Sequence, residues 1–235
     1  MSGALLIVWS DIPPDCEAAF NDWYNHEHLP DRVGRMPGFA RGRRYVATAA
    51  AESLVAGAPK YLTLYDLTDA RLMLSPAHVA LRKVRPPRDL QFVQLFRNTI
   101  KGICDVVARS GSAGESEFLA LLPVTAREPD FAARVSGELL PLLVAMPGVT
   151  NATVAMRNAE VTAASSAKDD RVGDRYADGL IVVEMVSANA APPVVRALGG
   201  DSLATLGGAV QFVQAAVLLR RIYELRAASL MGFKS

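Results

Sequence analysis

Cysteine and histidine are scarce in this 235-residue chain, and so is net charge. The two cysteines, Cys16 and Cys104, form no Cys-x-x-Cys pair, which argues against a disulfide framework or a zinc ribbon and favours free thiols in the cytoplasm. A net charge of +1 predicts neither nucleic acid nor an anionic membrane as a partner. The first apolar run follows no basic region, and no uncharged stretch is long enough to span a bilayer. We therefore expect a cytoplasmic protein.

A short sequence repeat divides the chain into two similar halves. Gln-Phe-Val-Gln occurs at residues 91–94 and 211–214, and Met-Pro-Gly occurs at residues 36–38 and 146–148, so the copies lie 120 and 110 residues apart. A repeat of this period indicates one structural unit that is used twice. We expect residues 1–108 to form the first unit, 109–116 a linker, 117–225 the second unit and 226–235 a tail.

The first half is predicted to follow the order βαββαβ. Strands are expected at residues 4–10, 40–48, 60–67 and 90–98, from their aliphatic and aromatic content. Pro13 and Pro14 mark the start of a helix, whose apolar residues recur at three-and-four spacing until the Met-Pro-Gly-Phe segment at residues 36–39. A second helix is expected at residues 75–83.

The second half is predicted to repeat this order. Its strands are expected at residues 117–124, 149–157, 179–186 and 209–223, and its helices at residues 130–145 and 193–197. Residues 163–178 are polar and are expected to form a mobile loop. Several strands are apolar on both faces, so helices should cover one face of each sheet and the opposite sheet should cover the other.

Several motifs of the first half form a recognisable series. Phe-Asn-Asp-Trp-Tyr-Asn-His-Glu-His-Leu-Pro at residues 20–30 is followed by Met-Pro-Gly-Phe, by Arg-Arg-Tyr at 43–45 and by Tyr-Leu-Thr-Leu-Tyr-Asp-Leu at 61–67. With these motifs the first half resembles the EthD-like proteins of the dimeric α+β barrel superfamily. The resemblance implies an α+β fold of two tandem ferredoxin-like βαββαβ repeats, whose antiparallel sheets pack as a pseudo-twofold barrel. It also implies a cleft between sheet and helices for an apolar, aromatic or polyketide-like ligand.

The two halves differ in the residues that could carry chemistry. All three histidines, His26, His28 and His78, lie in the first half. At an offset of 110 residues, His28 is aligned with Glu138, and the Trp-Tyr pair of residues 23–24 has no aromatic counterpart. We therefore expect one site per chain, built mainly by the first repeat.

His28 is the first candidate for proton transfer. It is predicted to lie near the C-terminal end of the first helix, where the helix dipole favours its protonated form and where Glu27 or Asp31 could orient it. Such a histidine would serve as a general acid or base near neutral pH. The alternative is structural, with the imidazole capping the last helical turn before Pro30 by binding backbone carbonyls.

Arginine and tyrosine on the second and third predicted strands are the next candidates. Strand alternation places Arg43 and Tyr45 on one face, Arg44 on the other, and Tyr61 and Tyr65 together. An Arg43 that faces the barrel interior would be a buried cation that needs a carboxylate. The alternative is a solvated arginine at a strand edge.

These observations give a predicted set of site residues. The catalytic residues are expected to be His28, Tyr65 and Arg43, with Tyr65, Tyr24 or Arg43 polarising a carbonyl or a phenol. The substrate-binding residues are expected to be Trp23, Tyr24, Glu27, Tyr61, Phe39 and His78. For His78, a surface or half-buried position on the second helix is the alternative.

No metal and no cofactor is expected. His26 and His28 are two residues apart on a helix and diverge by about 200 degrees, so they cannot bind one ion together. Phosphate-binding loops, Gly-x-Ser-x-Gly and Gly-x-Gly-x-x-Gly are absent from the sequence.

Three functions stay open at this point. The first is a cofactor-free acid–base enzyme of lyase, isomerase or cyclase type, acting on a small apolar or aromatic carbonyl compound. The second is a non-catalytic small-molecule-binding or accessory protein on the same fold. The third and weaker one is a haem-binding protein or a cofactor-free monooxygenase, since this fold hosts those as well. A homodimer formed through a sheet edge or a helical face is a further expectation.

Overall fold

The computed structural model describes residues 3–48, 57–112, 115–166 and 173–227. Eight antiparallel strands form a closed barrel, and helices cover its outer surface. The predicted α+β barrel is therefore confirmed. Within the described ranges, no helix has the length and apolar character that a membrane crossing requires.

Each half contributes four strands to the barrel, and the second half contains two additional short strands. The first half contains β1 (Ala4–Asp11), β2 (Phe39–Ala47), β3 (Tyr61–Leu67) and β4 (Arg97–Gly111). The second half contains β5 (Phe118–Ala126), β6 (Val149–Arg157), β7 (Arg175–Tyr176), β8 (Gly179–Met185), β9 (Gly208–Val210) and β10 (Val217–Arg226). The short strands β7 and β9 lie outside the barrel, on β4 and β5 respectively.

The helices share an unusual feature, a π-helical turn in the first helix of each half. Helix α1 consists of Glu17–Trp23, the π turn Tyr24–His28 and Leu29–Val33, and it is followed by α2 (Pro76–Lys83) and α3 (Pro87–Val93). Helix α4 consists of Phe131–Arg134, the π turn Val135–Leu139 and Leu140–Val144, and it is followed by α5 (Ala159–Ser166), α6 (Ala191–Ala197) and α7 (Gly200–Thr205). Short 3₁₀ helices are formed by residues Pro14–Cys16, Ala70–Leu74 and Ala188–Ala190.

The π turns align the two halves more accurately than the sequence does. Each turn is followed by a proline, Pro30 or Pro141, whose missing N–H interrupts the regular hydrogen-bond ladder of the helix. Superposing the turns aligns His28 with Leu139 and not with Glu138. Because Leu139 is buried and apolar, the second half has no titratable group at this position.

Two long strands join the halves into one barrel. β4 pairs with β1 over its first part and with β6 over its last part, as far as Gly111 opposite Asn151. β10 pairs with β5 and then with β2, as far as Arg226 opposite Arg41. The last strand of each half thus also pairs with a strand of the other half. The strand order is β1-β3-β2-β10-β5-β8-β6-β4, and the barrel closes because β4 pairs with β1.

The sheet separates two buried layers. In β3, Leu62 and Leu64 point into the barrel, whereas Tyr61 and Tyr65 point outward and pack beneath the helices; the Tyr61 ring is 5.6 Å from the ring of Phe20 on α1. These four side chains are all buried. The sequence prediction that both faces of the sheet are covered is thereby confirmed.

Two predicted strands are wrong. Residues 90–98 contain most of α3 and only the start of β4, because Pro86 and Pro87 begin a helix there. The predicted strand at residues 209–223 is interrupted between β9 and β10, where Phe212 has a φ of 66°. Neither copy of Gln-Phe-Val-Gln lies in a strand, so this sequence repeat does not mark equivalent strands.

Two predicted connections also differ. Residues 163–178 include the end of α5 and all of β7, while residues 167–172 lie outside the described ranges. Residues 109–111, expected to begin a linker, are the last paired residues of β4.

Candidate functional site

Helix α1 places His28 between the helices and the outer face of the first-half sheet. The helix continues through Leu29–Val33, so His28 lies inside it and not at a frayed end. Its ring packs against Trp23 at 4.6 Å and against Tyr24 at 4.7 Å between centroids. Its Nδ1 atom lies 3.2 Å from a carboxylate oxygen of Asp89. The ring therefore does not have the capping contact that the structural alternative requires.

Asp89, in the first turn of α3, is held by three side chains of α1. Its Oδ1 lies 3.2 Å from His28 Nδ1 and accepts a hydrogen bond from Trp23 Nε1 at 3.1 Å, and its Oδ2 is 3.6 Å from Arg32 Nη2. Only 2% of Asp89 is exposed. An ionised carboxylate only accepts hydrogen bonds. A neutral His28 must therefore carry its proton on Nδ1, which leaves the Nε2 lone pair available.

The charges of this pair are set by burial and by Arg32. Burial and the positive charge of Arg32 lower the pKa of His28 to about 4, although Asp89 acts in the opposite direction. Burial would raise the pKa of Asp89, but His28, Arg32 and Trp23 together hold it below its ordinary value. Near neutral pH the pair is therefore a carboxylate beside a neutral imidazole.

The prediction that His28 titrates near neutral pH with help from Glu27 or Asp31 is wrong. Glu27 forms an ion pair with Arg88, and Asp31 lies 3.1 Å from Arg35. At neutral pH, His28 is therefore not protonated and cannot act as a general acid. As a neutral imidazole it can act as a general base.

A cavity of about 170 Å³ lies between the first-half sheet and its helices. Its apolar lining includes Leu6 and Val8 of β1, Phe39 of β2 and Ile103 of β4. Its polar lining includes Tyr24, His28, Arg32, Tyr65 and His78. An apolar enclosure with a few converging polar groups is the usual form of a small-molecule site.

Two buried hydrogen-bond donors of this lining lack a partner among the described residues. They are Nη1 of Arg32 and the hydroxyl of Tyr65, in residues that are 9% and 2% exposed. Burial and the neighbouring Tyr24 raise the pKa of Tyr65 well above its ordinary value, so its hydroxyl stays a neutral donor. A buried donor without a partner costs roughly 1–3 kcal/mol. Both donors could be satisfied by a ligand that accepts hydrogen bonds.

The predicted site residues fall into two groups. The ones that line the cavity are His28, Tyr65, Tyr24, Phe39 and His78. Outside it, Trp23 packs behind His28, Tyr61 donates a hydrogen bond to Glu17 at 3.0 Å, and Glu27 is paired as described above. The surface alternative for His78 is wrong, because this residue is 4% exposed and its Nδ1 is 2.9 Å from the carbonyl oxygen of Met73.

Arg43 lies on the other side of the sheet, inside the barrel. It is 2% exposed, its Nη2 is 3.0 Å from Asp66 Oδ2, and its Nη1 binds Glu184 of the second half. Burial would lower the pKa of Arg43, but Tyr45, Asp66 and Glu184 raise it above its usual value. The solvated alternative is therefore wrong. The structure also does not bring Arg43 together with His28, because the two side chains lie on opposite faces of the sheet.

Sequence reasoning missed Asp89 and Arg32. Pro86 and Pro87, followed by an acidic residue, are a helix-start signal that outweighs the apolar content of residues 90–98 and identifies α3. Arg32 follows His28 by four residues and therefore shares its helix face. The contact between His28 and Asp89, by contrast, joins residues 61 positions apart and leaves no local signal.

Comparison with known proteins identifies the fold. No family profile and no curated protein matches the chain. Among solved structures, an anthrone oxidase-like protein is 9% identical with a TM-score of 0.64, and 97% of this chain and 94% of that chain are covered. A candidate monooxygenase from Lactobacillus acidophilus NCFM is also 9% identical, with a TM-score of 0.57 and 97% of both chains covered.

A haem-binding protein from Thermus thermophilus is 11% identical with a TM-score of 0.50, and 99% of this chain and 95% of that chain are covered. At such identities the likeness concerns the fold alone. The chain therefore has the dimeric α+β barrel fold, with both halves of the barrel in one polypeptide.

Proposed function

We propose that the chain is an acid–base enzyme that removes a proton from a small aromatic phenol or carbonyl compound bound in the first-half cavity. The observation that supports this proposal is a buried, neutral His28 that is oriented by an ionised Asp89, beside two donors without partners. Perturbed pKa values of this kind are concentrated at functional sites.

The proton-transfer step uses three groups in distinct roles. Asp89 accepts a hydrogen bond from the Nδ1–H of His28 and so leaves the Nε2 lone pair for the compound. When Nε2 takes a proton, His28 becomes an imidazolium, and Asp89 stabilises its charge. The resulting anion of the compound accepts hydrogen bonds from Arg32 Nη1 and from the Tyr65 hydroxyl. Both donors then have a hydrogen-bond partner.

The cavity limits the size of this compound. A dry cavity of about 150 Å³ in another protein accepts benzene, so about 170 Å³ holds one aromatic ring with short substituents. A polyketide-like compound with more rings would extend into an adjoining groove, which Arg82 and Arg85 share with the cavity.

The outcome of deprotonation depends on what the anion meets. If the proton returns to a different atom of the compound, the outcome is isomerisation. If the enolate carbon attacks a carbonyl carbon of the same compound, a ring closes and the carbonyl oxygen takes the proton from His28. If the enolate expels a β-hydroxide, the hydroxide leaves as water with the His28 proton. If dioxygen is the co-reactant, a CH₂ group and O₂ give a C=O group and water. The anthrone oxidase-like and monooxygenase-type neighbours favour this oxygenation as the second candidate function.

Haem, which one neighbour binds, does not fit this cavity. Cofactor sites usually have volumes of roughly 300–1,000 Å³. The cavity here has about 170 Å³, which is below this range. We therefore derive no step that involves haem.

The experiment is hydrogen–deuterium exchange at the α C–H group of aromatic ketones that a thermal-shift screen identifies as ligands. A compound at about 100 times its dissociation constant adds about 2.7 kcal/mol to the unfolding free energy. Proton NMR in D₂O under argon then detects loss of the acidic C–H signal, whatever the later fate of the anion. We expect wild type to catalyse the exchange and His28→Gln to lose roughly 10²–10⁴ of the rate.

The matched control is His26→Gln. His26 lies two residues away, has 67% of its side chain exposed and binds Asp22, so the exchange rate should not change. Binding without exchange would overturn the proposal in favour of a binding protein on the same fold. Equal exchange rates in wild type and His28→Gln would remove His28 as the base.

A further inference from the structure

One wall of the first-half cavity comes from the second half. Among the described lining residues, Ser165 of α5 and Tyr176 of β7 belong to the connection between β6 and β8. The described parts of this connection, α5 and β7, pack on the first half. The second half, which has Leu139 in place of His28, thus still takes part in the site.

The first end of this wall is fixed to β4 by Asn158. The Asn158 backbone N–H donates to the carbonyl oxygen of Ile103 at 2.9 Å, and its Nδ2 donates to Asp105 Oδ2 at 2.8 Å. Its Oδ1 accepts the backbone N–H of Val161 at 2.9 Å, which caps the start of α5. Val161 is fully buried in the apolar layer that contains the aromatic residues of α1.

The second end is fixed by β7 and by Asp178. Tyr176 stands opposite Lys101 in the parallel pairing of β7 with β4, and the Ala177 N–H donates to the Lys101 carbonyl oxygen at 2.8 Å. Asp174 forms an ion pair with Lys101. Asp178 accepts a hydrogen bond from Thr125 Oγ1 at 2.9 Å. Both ends of the wall therefore keep their position independently of the Tyr176 ring.

We infer that Tyr176 is a specificity-determining residue, which sets the largest compound that the first-half cavity accepts. The inference rests on the proposed function for the class of compound. Tyr176 is half-buried, and its ring centroid is 5.7 Å from Lys101 Nζ. Among the described residues, it is the aromatic residue that the second half contributes to the cavity lining. Because the backbone on both sides is fixed, removing the ring enlarges the cavity without removing its wall.

The test compares the dissociation constants of phenol and 2-naphthol for wild type, Tyr176→Ala and Tyr176→Phe. We expect Tyr176→Ala to shift the ratio of the two constants at least about tenfold in favour of 2-naphthol, which corresponds to about 1.4 kcal/mol. Tyr176→Phe keeps the ring and should leave the ratio within about twofold of wild type. Tyr176→Leu gives a second measurement of the same effect if Tyr176→Ala does not fold.

The matched control is Tyr223→Ala. Tyr223 is also a half-buried tyrosine of the second half that packs on the first, near His26 at 6.5 Å, but it does not line the cavity. Its removal should leave the ratio unchanged. An unchanged ratio in folded Tyr176→Ala or Tyr176→Leu would overturn the inference and leave the proposed function standing. A shifted ratio without hydrogen–deuterium exchange would overturn the proposed function and support the inference.

Discussion

Replacing Arg43 with Gln should destabilise the barrel strongly, because Arg43 is the buried cation that joins the two halves. The change removes the charge that faces Asp66 of β3 and Glu184 of β8, whose side chains are 13% and 12% exposed. Breaking a buried ion pair by removing one partner costs about 3–5 kcal/mol. Arg41 Nε stays 2.7 Å from Asp66, so we expect the lower end, about 3 kcal/mol.

Equilibrium urea denaturation measures this loss. Globular proteins unfold with about 5–15 kcal/mol, so a loss of about 3 kcal/mol is a large fraction and should lower the melting temperature by roughly 6–12 °C. The control is Arg109→Gln. Arg109 is 3.4 Å from Asp66 but has 42% of its side chain exposed, and it should therefore cost less than about 1 kcal/mol.

The unfolding free energy that Arg43→Gln loses should also depend on pH. Burial would raise the pKa of Asp66, but Arg43 and Arg41 hold it below its ordinary value. The stability that Asp66 contributes is therefore complete above about pH 4, its unfolded pKa, and is lost as the pH falls through the folded pKa. The difference between wild type and Arg43→Gln should be largest near neutral pH and should shrink below about pH 4.

A double-mutant cycle with Glu184→Gln isolates the contact between the halves. We expect a coupling energy of about 1–3 kcal/mol, because residues in one buried ionic network are not additive. A loss below about 1 kcal/mol for Arg43→Gln, or additive single and double variants, would refute the reasoning that this buried arginine holds the two halves together.

Three further predictions concern other parts of the molecule. His28 has a higher pKa in the unfolded chain than in the folded protein, so the unfolding free energy should rise by up to roughly 3 kcal/mol between about pH 4 and pH 6.5. Urea titrations should show a smaller rise for His28→Gln, and the same rise in both proteins would contradict this prediction. A Cβ atom on Gly42 would lie 2.8 Å from Leu29 Cδ1, so Gly42→Ala should cost about 1–3 kcal/mol, and a neutral effect would show that α1 can shift. Burial raises the pKa of Cys104 to about 12, so iodoacetamide should label Cys16 in the folded protein and Cys104 only after unfolding, as mass spectrometry can show.

Much of the fold could be predicted because local sequence patterns, such as the alternation of side chains along a strand, specify its elements. Strand alternation places Leu62 and Leu64 opposite Tyr61 and Tyr65, and the structure agrees. The segment of residues 90–98 could not be read in this way, because its apolar residues suit a strand as well as a helix, and the prolines before it decide between them. Phe212, with its positive φ, similarly ends a strand that the apolar pattern alone would continue.

The candidate site was less predictable because its decisive contacts are long-range. His28 is identifiable as a titratable residue on the helix, but its low pKa depends on burial and on a partner far along the chain. Arg43 illustrates the same limit, since alternation gives its face but not the carboxylate of Glu184 from the other half. The part played by Tyr176 depends on where a connection of the second half packs, which no local pattern specifies.

The most direct test of the central claim, that His28 accepts a proton from a bound aromatic ligand, is absorbance spectroscopy of 4-nitrophenol. The measurement is made in weak buffer, well below the solution pKa of the phenol, with a pH indicator present. We predict that binding to wild type produces the nitrophenolate band with no proton released to solvent. Arg32 and Tyr65 stabilise the anion, and its negative charge raises the pKa of His28, which takes the proton. His28→Gln should not produce the band. A bound phenol that stays protonated, or a phenolate band accompanied by one released proton per chain, would contradict the account.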